Sequence, residues 1–214
     1  MEAWNQAWKT DTGRKDWLTP DPFVIEQIPH LHAAHVQRIL DLGFGVGRHA
    51  VLLAKEGFDV YGLDASENGL AYANQWAANE GVTLRLSTGD MGTLPYGDNF
   101  FDAVLTWNVV YHGLMAEIDQ TRREILRCLQ PQGYLILTLI STNHHKSGQG
   151  NEIEPHTYVI PGEGEKSHPH HYFDRSEVDA YLNGFTVLRC EDVEQAGVDT
   201  YHWQIFARYD RAHT

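Results

Sequence analysis

Ten residues, Ile39-Leu40-Asp41-Leu42-Gly43-Phe44-Gly45-Val46-Gly47-Arg48, restrict what this chain can fold into more than any other segment. An apolar run meets an acid and then glycines at alternate positions, and an amphipathic segment from His49 to Gly57 follows at once. The order predicts a buried strand, a turn without side-chain bulk and a helix N-terminus. Glycine tolerates left-handed dihedrals and lets a ligand lie against the backbone. The helix end beyond it adds unpaired N–H groups and a partial positive charge. Such a turn is suited to a small polar cofactor.

Two cofactors compete for it. Shifted by one glycine, the loop reads Gly45-Val-Gly47-Arg-His-Ala50, a legal variant of the dinucleotide fingerprint, and Asp64 ends a second apolar run where it can receive ribose hydroxyls. S-adenosylmethionine is favoured by three further features. Asp41 lies just before the first glycine. Gly89-Asp90-Met91 ends a strand-like run from Thr83 to Ser87. Phe100 to Asn108 forms a fourth strand after a Pro-Tyr-Gly-Asp-Asn turn. Acid or amide groups thus stand near the ends of successive strands.

At these residues the chain resembles the class I S-adenosylmethionine-dependent methyltransferases, and within them the small-molecule type 11 and tellurite-resistance-type branch. The resemblance runs from about Gln37 to Tyr209. It rests on Asp41 to Gly47, Asp64, Gly89-Asp90-Met91, Asp102 through Asn108, and Leu129-Gln-Pro-Gln-Gly133. Gln132 departs mildly from the family pattern, which has glycine or an acid near that position. The resemblance implies a cofactor site made of Asp41, Gly43, Gly45, Gly47, Arg48, Asp64, Ala65, Asp90, Met91 and Asn108. In it Asp64 takes the ribose hydroxyls, Asp90 the adenine amino group with the Met91 backbone near the ring, and Asp41 and Arg48 the methionine part. Tyr111 and His112, just past the fourth strand, are the best placed candidates for a catalytic base, which an acceptor carrying a proton would need. His170, His171 and Tyr172 are expected to line the acceptor pocket. Asp102, at the far end of its strand, is expected to be structural.

The remaining pattern agrees with one α/β domain over residues 1–214. Strands and helices alternate, which implies a parallel sheet with right-handed crossovers. Tyr134 to Ile140 is almost continuously apolar, as in a sheet covered on both faces. Phe185–Glu194 and Thr200–Tyr209 predict a terminal antiparallel hairpin, so the expected fold is a Rossmann-like, seven-stranded, mostly parallel sheet with helices on both faces. Residues 1–32 form an N-terminal helical segment, either packed on the domain or acting as a lid, with Trp4 and Trp8 on one helix face. Residues 141–172 form an insertion rich in Gly, His and Pro, expected to be a substrate loop. His168-Pro-His170-His171 could gather metal ligands, but the loop's histidines show neither helical nor hairpin spacing, so a substrate-facing loop is expected in preference to a metal site.

A formal charge of −13, from 29 acidic and 16 basic residues, argues against nucleic acid or an anionic membrane as partner. Cys128 and Cys190 lack metal spacing and are expected as core thiols. No signal peptide or membrane span is visible, which fits a cytoplasmic protein, monomeric or homodimeric, acting on a small-molecule methyl acceptor. The alternatives are an NAD-dependent oxidoreductase and a non-catalytic S-adenosylmethionine-binding protein.

Overall fold

The computed structural model describes residues 2–195 and 197–210. The N-terminal segment holds α1 (Glu2–Ala7), α2 (Asp11–Arg14) and α3 (Pro22–Ala33). Asp21 caps α3 by accepting the Phe23 N–H at 3.0 Å, and Pro22 takes the first helical position, where its missing N–H costs nothing. The central alternation follows: β1 (Arg38–Leu42), α4 (Arg48–Lys55), β2 (Asp59–Asp64), α5 (Glu67–Glu80), β3 (Arg85–Thr88), β4 (Phe101–Thr106), α6 (Met115–Cys128) and β5 (Leu129–Ile140). The insertion carries β6 (Asn151–Glu154), β7 (Thr157–Val159) and β8 (His170–His171). The chain closes with α7 (Arg175–Tyr181), β9 (Phe185–Glu194) and β10 (Tyr201–Tyr209).

The main sheet has seven strands in the order β3-β2-β1-β4-β5-β10-β9. β1 to β5 run parallel, and β10 is antiparallel to both of its neighbours. Side chains alternate across the sheet. Leu40, Val104, Leu135 and Leu137 pack on one face with Ile118 and Ile125 of α6 and Tyr181 of α7. Ile39, Ala103, Leu105 and Ile136 pack on the other with Phe23, Ile28 and Leu31 of α3 and Leu53 of α4. Covering both faces is why β5 has no polar stripe. Each fully buried Leu or Ile in these layers contributes roughly 1.5–3 kcal/mol.

Local signals set the element ends. Ser66 caps α5 by accepting the Gly69 N–H at 3.0 Å, and Gly81 ends it in a left-handed conformation. α6 begins two residues earlier than its apolar spacing implies, because Glu117 reaches back to accept the Leu114 N–H at 2.8 Å and fixes the turn at that point. Gln132 has a φ of 65°, which explains why glycine suits that position. Asp102 is structural: its Oδ2 accepts the N–H groups of Gln37 and Arg38 at 3.0 and 2.8 Å.

Two expectations need correction. The insertion does contain a hairpin: β6 and β7 pair antiparallel, β8 adds to β7, and His156 makes the tight turn with a φ of 59°. Alternating charge and turn residues concealed this short pairing. Cys128 is a buried free thiol, but Cys190 is only half-buried, since the outer strand β9 has one face toward solvent.

Candidate active site

The site begins in the main chain. Gly43, Gly45 and Gly47 have φ values of 75°, 55° and 91°. A Cβ on Gly43 would lie 2.3 Å from Val109 Cγ2, and one on Gly47 would lie 2.7 Å from Ala73 Cβ. Neither bulk nor ordinary backbone geometry is therefore tolerated in this turn. Asp64 ties it to the end of β2: Oδ2 accepts the Gly45 N–H and Oδ1 the Ser66 N–H, each at 2.8 Å. Burial raises the Asp64 pKa, while the N–H groups of Gly45, Ser66 and Ala65 oppose that rise.

A cavity of about 690 Å3 opens at the carboxyl ends of the parallel strands. This edge of an open α/β sheet is where ligands generally bind. Of the residues singled out in the sequence, Gly43, Gly45, Arg48, Asp64, Ala65, Asp90, Met91, Asn108 and His112 line it. Asp90 is held by a short turn, its Oδ1 accepting the Gly92 N–H at 2.6 Å. Arg48 donates to the Thr19 carbonyl at 3.2 Å and lies 5.2 Å from the Trp17 ring centroid. Asn108 adopts a φ of 61° and is clamped by Thr138, whose hydroxyl accepts the Asn108 N–H at 2.7 Å and donates to Asn108 Oδ1 at 3.0 Å.

Six singled-out residues do not line the cavity. Asp41 is 2 % exposed, and its Oδ2 has no hydrogen-bond partner among the described residues. Burial, reinforced by the charge of Asp64, pushes its pKa up to about 7, against the opposing pull of Arg48 and the Ala50 N–H. Gly47 is the N-cap of α4, pressed on α5. Tyr111 is buried and stacks on His112 with ring centroids 4.6 Å apart. His171 points away from the cavity and into the insertion: Nδ1 meets Thr157 Oγ1 at 2.8 Å and Nε2 lies 3.4 Å from Glu177. Burial lowers its pKa. Tyr172 is buried against Tyr158 and His144. His170 is also buried, but its ring centroid is 4.4 Å from that of His112. The neighbouring His168 and Pro169 are the insertion residues that reach the cavity wall.

Other wall residues were not assigned from sequence. Trp4, Trp8 and Trp17 line the cavity and pack on one another, with centroid separations of 5.0, 5.2 and 5.7 Å. Trp8 covers Gly45, and Asn5 anchors α1 to α5 through Ser66 and Asn68. The N-terminal segment is thus packed on the domain, with three of its tryptophans on the cavity wall. His49 accepts the Asp21 N–H on Nε2 at 3.1 Å, and burial lowers its pKa well below the usual value, so it is a neutral wall residue. Its position immediately after Arg48 was the available clue. Trp107 ends β4 and lines the cavity, with an Nε1–H that has no partner among the described residues.

Residues 40–137 match the family model described as "Methyltransferase domain". The chain is 38 % identical over 103 residues to the methyltransferase GfsG of Streptomyces halstedii, covering 47 % of this chain and 36 % of that one. It is 32 % identical over 104 residues to a ubiquinone biosynthesis O-methyltransferase of Sinorhizobium fredii, covering 49 % of this chain and 41 % of that one. The chain therefore spans less than half the length of these curated relatives. Among solved structures, it is similar to an S-adenosylmethionine-dependent methyltransferase of Methanosarcina mazei: TM-score 0.74, 22 % identity, covering 90 % of this chain and 99 % of that one. It is also similar to a 1,6-didemethyltoxoflavin N1-methyltransferase of Burkholderia thailandensis: TM-score 0.73, 18 % identity, covering 98 % and 88 %. The fold is that of the class I methyltransferases, and the resemblance drawn from the sequence motifs is borne out. Among the described residues, no helix is long and apolar enough to cross a membrane.

Proposed function

We propose that this chain, whose residues 40–137 match a methyltransferase domain, moves a methyl group from S-adenosylmethionine to a small-molecule acceptor by in-line displacement. The observation that carries the reading is the joint presence of Gly43, Gly45, Asp64 and Asp90 on one cavity wall at the ends of β1, β2 and β3. S-adenosylmethionine supplies, when bound, a methyl group on a cationic sulfonium that is a good leaving group. The residues fit such a molecule. Gly43 and Gly45 put bare main chain on the wall, and Asp64 retains acceptor capacity beside its N–H bonds. Asp41 Oδ2, with no hydrogen-bond partner among the described residues, leaves an acceptor buried beside the turn.

This chain's own groups would act by binding, orienting and excluding water. Asp64 would hold the ribose and Asp90 the adenine amino group. Asn108, pinned by Thr138, would border the methyl end. Trp4, Trp8 and Trp17 would shield the cavity, and His112 at its mouth would accept the acceptor's proton, steadied by Tyr111. The enclosed volume supports a small acceptor. The name of the ubiquinone biosynthesis relative supports an oxygen acceptor.

The NAD reading keeps its motif but loses its sheet. A dinucleotide domain continues with parallel strands, whereas β10 here inserts antiparallel between β5 and β9. A thermal-shift comparison separates the two. A ligand of the folded state at a hundredfold its Kd stabilises by about 2.7 kcal/mol. S-adenosylhomocysteine should raise Tm and NAD should not; the reverse would move the assignment to an oxidoreductase. Binding of S-adenosylhomocysteine without methyl transfer to any acceptor would favour the non-catalytic reading.

A further inference from the structure

We propose that His112, His168 and His170 bind a divalent transition-metal cation, Zn2+ being the reference case, at the mouth of the cavity. The three rings offer one nitrogen each, all within 4.8 Å of one another. They come from separate segments: His112 follows β4, and His168 and His170 end the insertion. An antiparallel backbone bridge between His112 and His170 holds the segments together. The residues sit where the cavity wall turns from the cofactor side to the insertion, and His112 and His168 are part of that wall.

Ring orientation is the second observation. His112 Nε2 lies 3.2 Å from the Asn108 carbonyl, so Nε2 carries the proton and Nδ1 the lone pair. His170 Nδ1 lies 2.9 Å from the His168 carbonyl, so Nδ1 carries the proton and Nε2 the lone pair. Metal-ligating histidines commonly donate their other N–H to a carbonyl or carboxylate in this way, which fixes tautomer and ring direction. His168 Nε2 then faces His112 Nδ1 at 2.9 Å. Donor nitrogens at Zn–N distances near 2.1 Å sit roughly 3.0–3.4 Å apart around one cation. The gap thus needs to open by only a few tenths of an ångström, with the His168 proton moving to Nδ1.

Imidazole donors select zinc, copper, nickel or iron over magnesium and calcium. Three histidine nitrogens are the donor set of catalytic zinc sites, which take a water or substrate as a further ligand. His112 and His168 border the cavity, so a ligand held there is within reach of that further position. There the cation would take a phenolic or enolic hydroxyl of the acceptor and lower its pKa. The O–H proton passes to water, and the oxygen forms the new C–O bond as the methyl C–S bond breaks. In this form the trio activates the acceptor by Lewis acidity, replacing proton removal by His112. That role rests on the methyltransferase reading; the binding of metal does not. A second group, His156, Asp174 and Glu177, is spent on structure. Asp174 and Glu177 form the capping box of α7, and Glu177 holds His156 at 3.1 Å.

The test is a competition titration of chelator-stripped protein with Zn2+, together with the visible spectrum of the Co2+-loaded protein. One equivalent per chain should bind, with Co2+ bands of a nitrogen-ligated site. His168→Ala, half-buried and so mild in its effect on folding, should weaken binding at least a hundredfold. His170→Ala should do the same, and His156→Ala should leave binding unchanged. Failure to bind Zn2+, or binding lost in His156→Ala and kept in His168→Ala, would overturn the proposal. S-adenosylhomocysteine affinity measured on the same stripped samples keeps the two readings apart. Metal bound without affinity for S-adenosylhomocysteine keeps this site and removes the methyltransferase reading. The opposite pattern removes this site alone.

Discussion

At one end of the cavity the wall is main chain: Gly43 and Gly45 in left-handed conformations, with the Gly45 N–H on Asp64. At the other end the wall is side chains gathered from distant segments, with Trp4 before the first strand, Asn108 and His112 after the fourth, and His168 and Pro169 in the insertion. The first end is encoded within about thirty residues and tolerates little change, because its left-handed glycines sit in conformations that side-chain-bearing residues rarely adopt. The second end depends on how separate loops meet. On the proposed reading the first end is a fixed donor platform and the second an adaptable acceptor mouth, an arrangement that suits a fold hosting many functions.

If that contrast is right, the two ends should fail differently. The largest loss should follow Gly43→Ala, where the new methyl would meet Val109 at 2.3 Å on a backbone with a φ of 75°. Overpacking of this kind costs about 1–3 kcal/mol of stability. Calorimetry should show S-adenosylhomocysteine binding weakened roughly 100-fold, a change of about 2.7 kcal/mol. Unchanged binding would mean the turn is not the cofactor platform. His112→Ala should instead cut kcat by about 100-fold, within the range for acid–base groups, while S-adenosylhomocysteine affinity stays within about twofold. Loss of affinity in that variant would erase the division between the two ends.

Asp64→Ala should act on the donor side alone. Loss of charged hydrogen bonds to the ribose, at roughly 1.5–3 kcal/mol each, predicts at least a tenfold rise in Kd with little effect on acceptor KM. The smallest effect concerns Asp41. Its pKa rises from 3.8 to about 7 on folding, so the folded state binds more protons than the unfolded state between those values. Its contribution to stability is fully present below pH 3.8 and is lost as pH rises through about 7. Asp41→Asn does not titrate. The Tm of the parent relative to this variant should therefore fall from pH 5 to pH 8, and a flat difference would show that Asp41 is not buried in its charged form's disfavour.

The same contrast explains what could be read from the sequence. The turn, its acid at position 64 and the caps at Asp21, Ser66 and Asp174 are local patterns, each determined by neighbours a few residues away. The mostly parallel, seven-stranded sheet followed from alternation and the terminal hairpin. The acceptor side did not follow. His171 and Tyr172 were assigned to the pocket from their position before α7, but period-2 pleating and the pairing of β8 with β7 turn His171 onto Thr157. The residues that do reach the wall, His168 and Pro169, precede β8 and are placed by a bridge to His112 that no local pattern encodes. Trp8 on Gly45 is likewise a contact across 37 positions, visible in sequence only as an apolar face with no stated target.

A crystal structure of the chain with S-adenosylhomocysteine would decide whether the glycine turn and Asp64 hold the methyl donor. Ribose hydroxyls should lie on Asp64, adenine beside Asp90 and Met91, and the sulfur should turn toward Asn108 and His112. A nicotinamide nucleotide recovered from that groove, or S-adenosylhomocysteine bound away from Gly43 and Gly45, would contradict it.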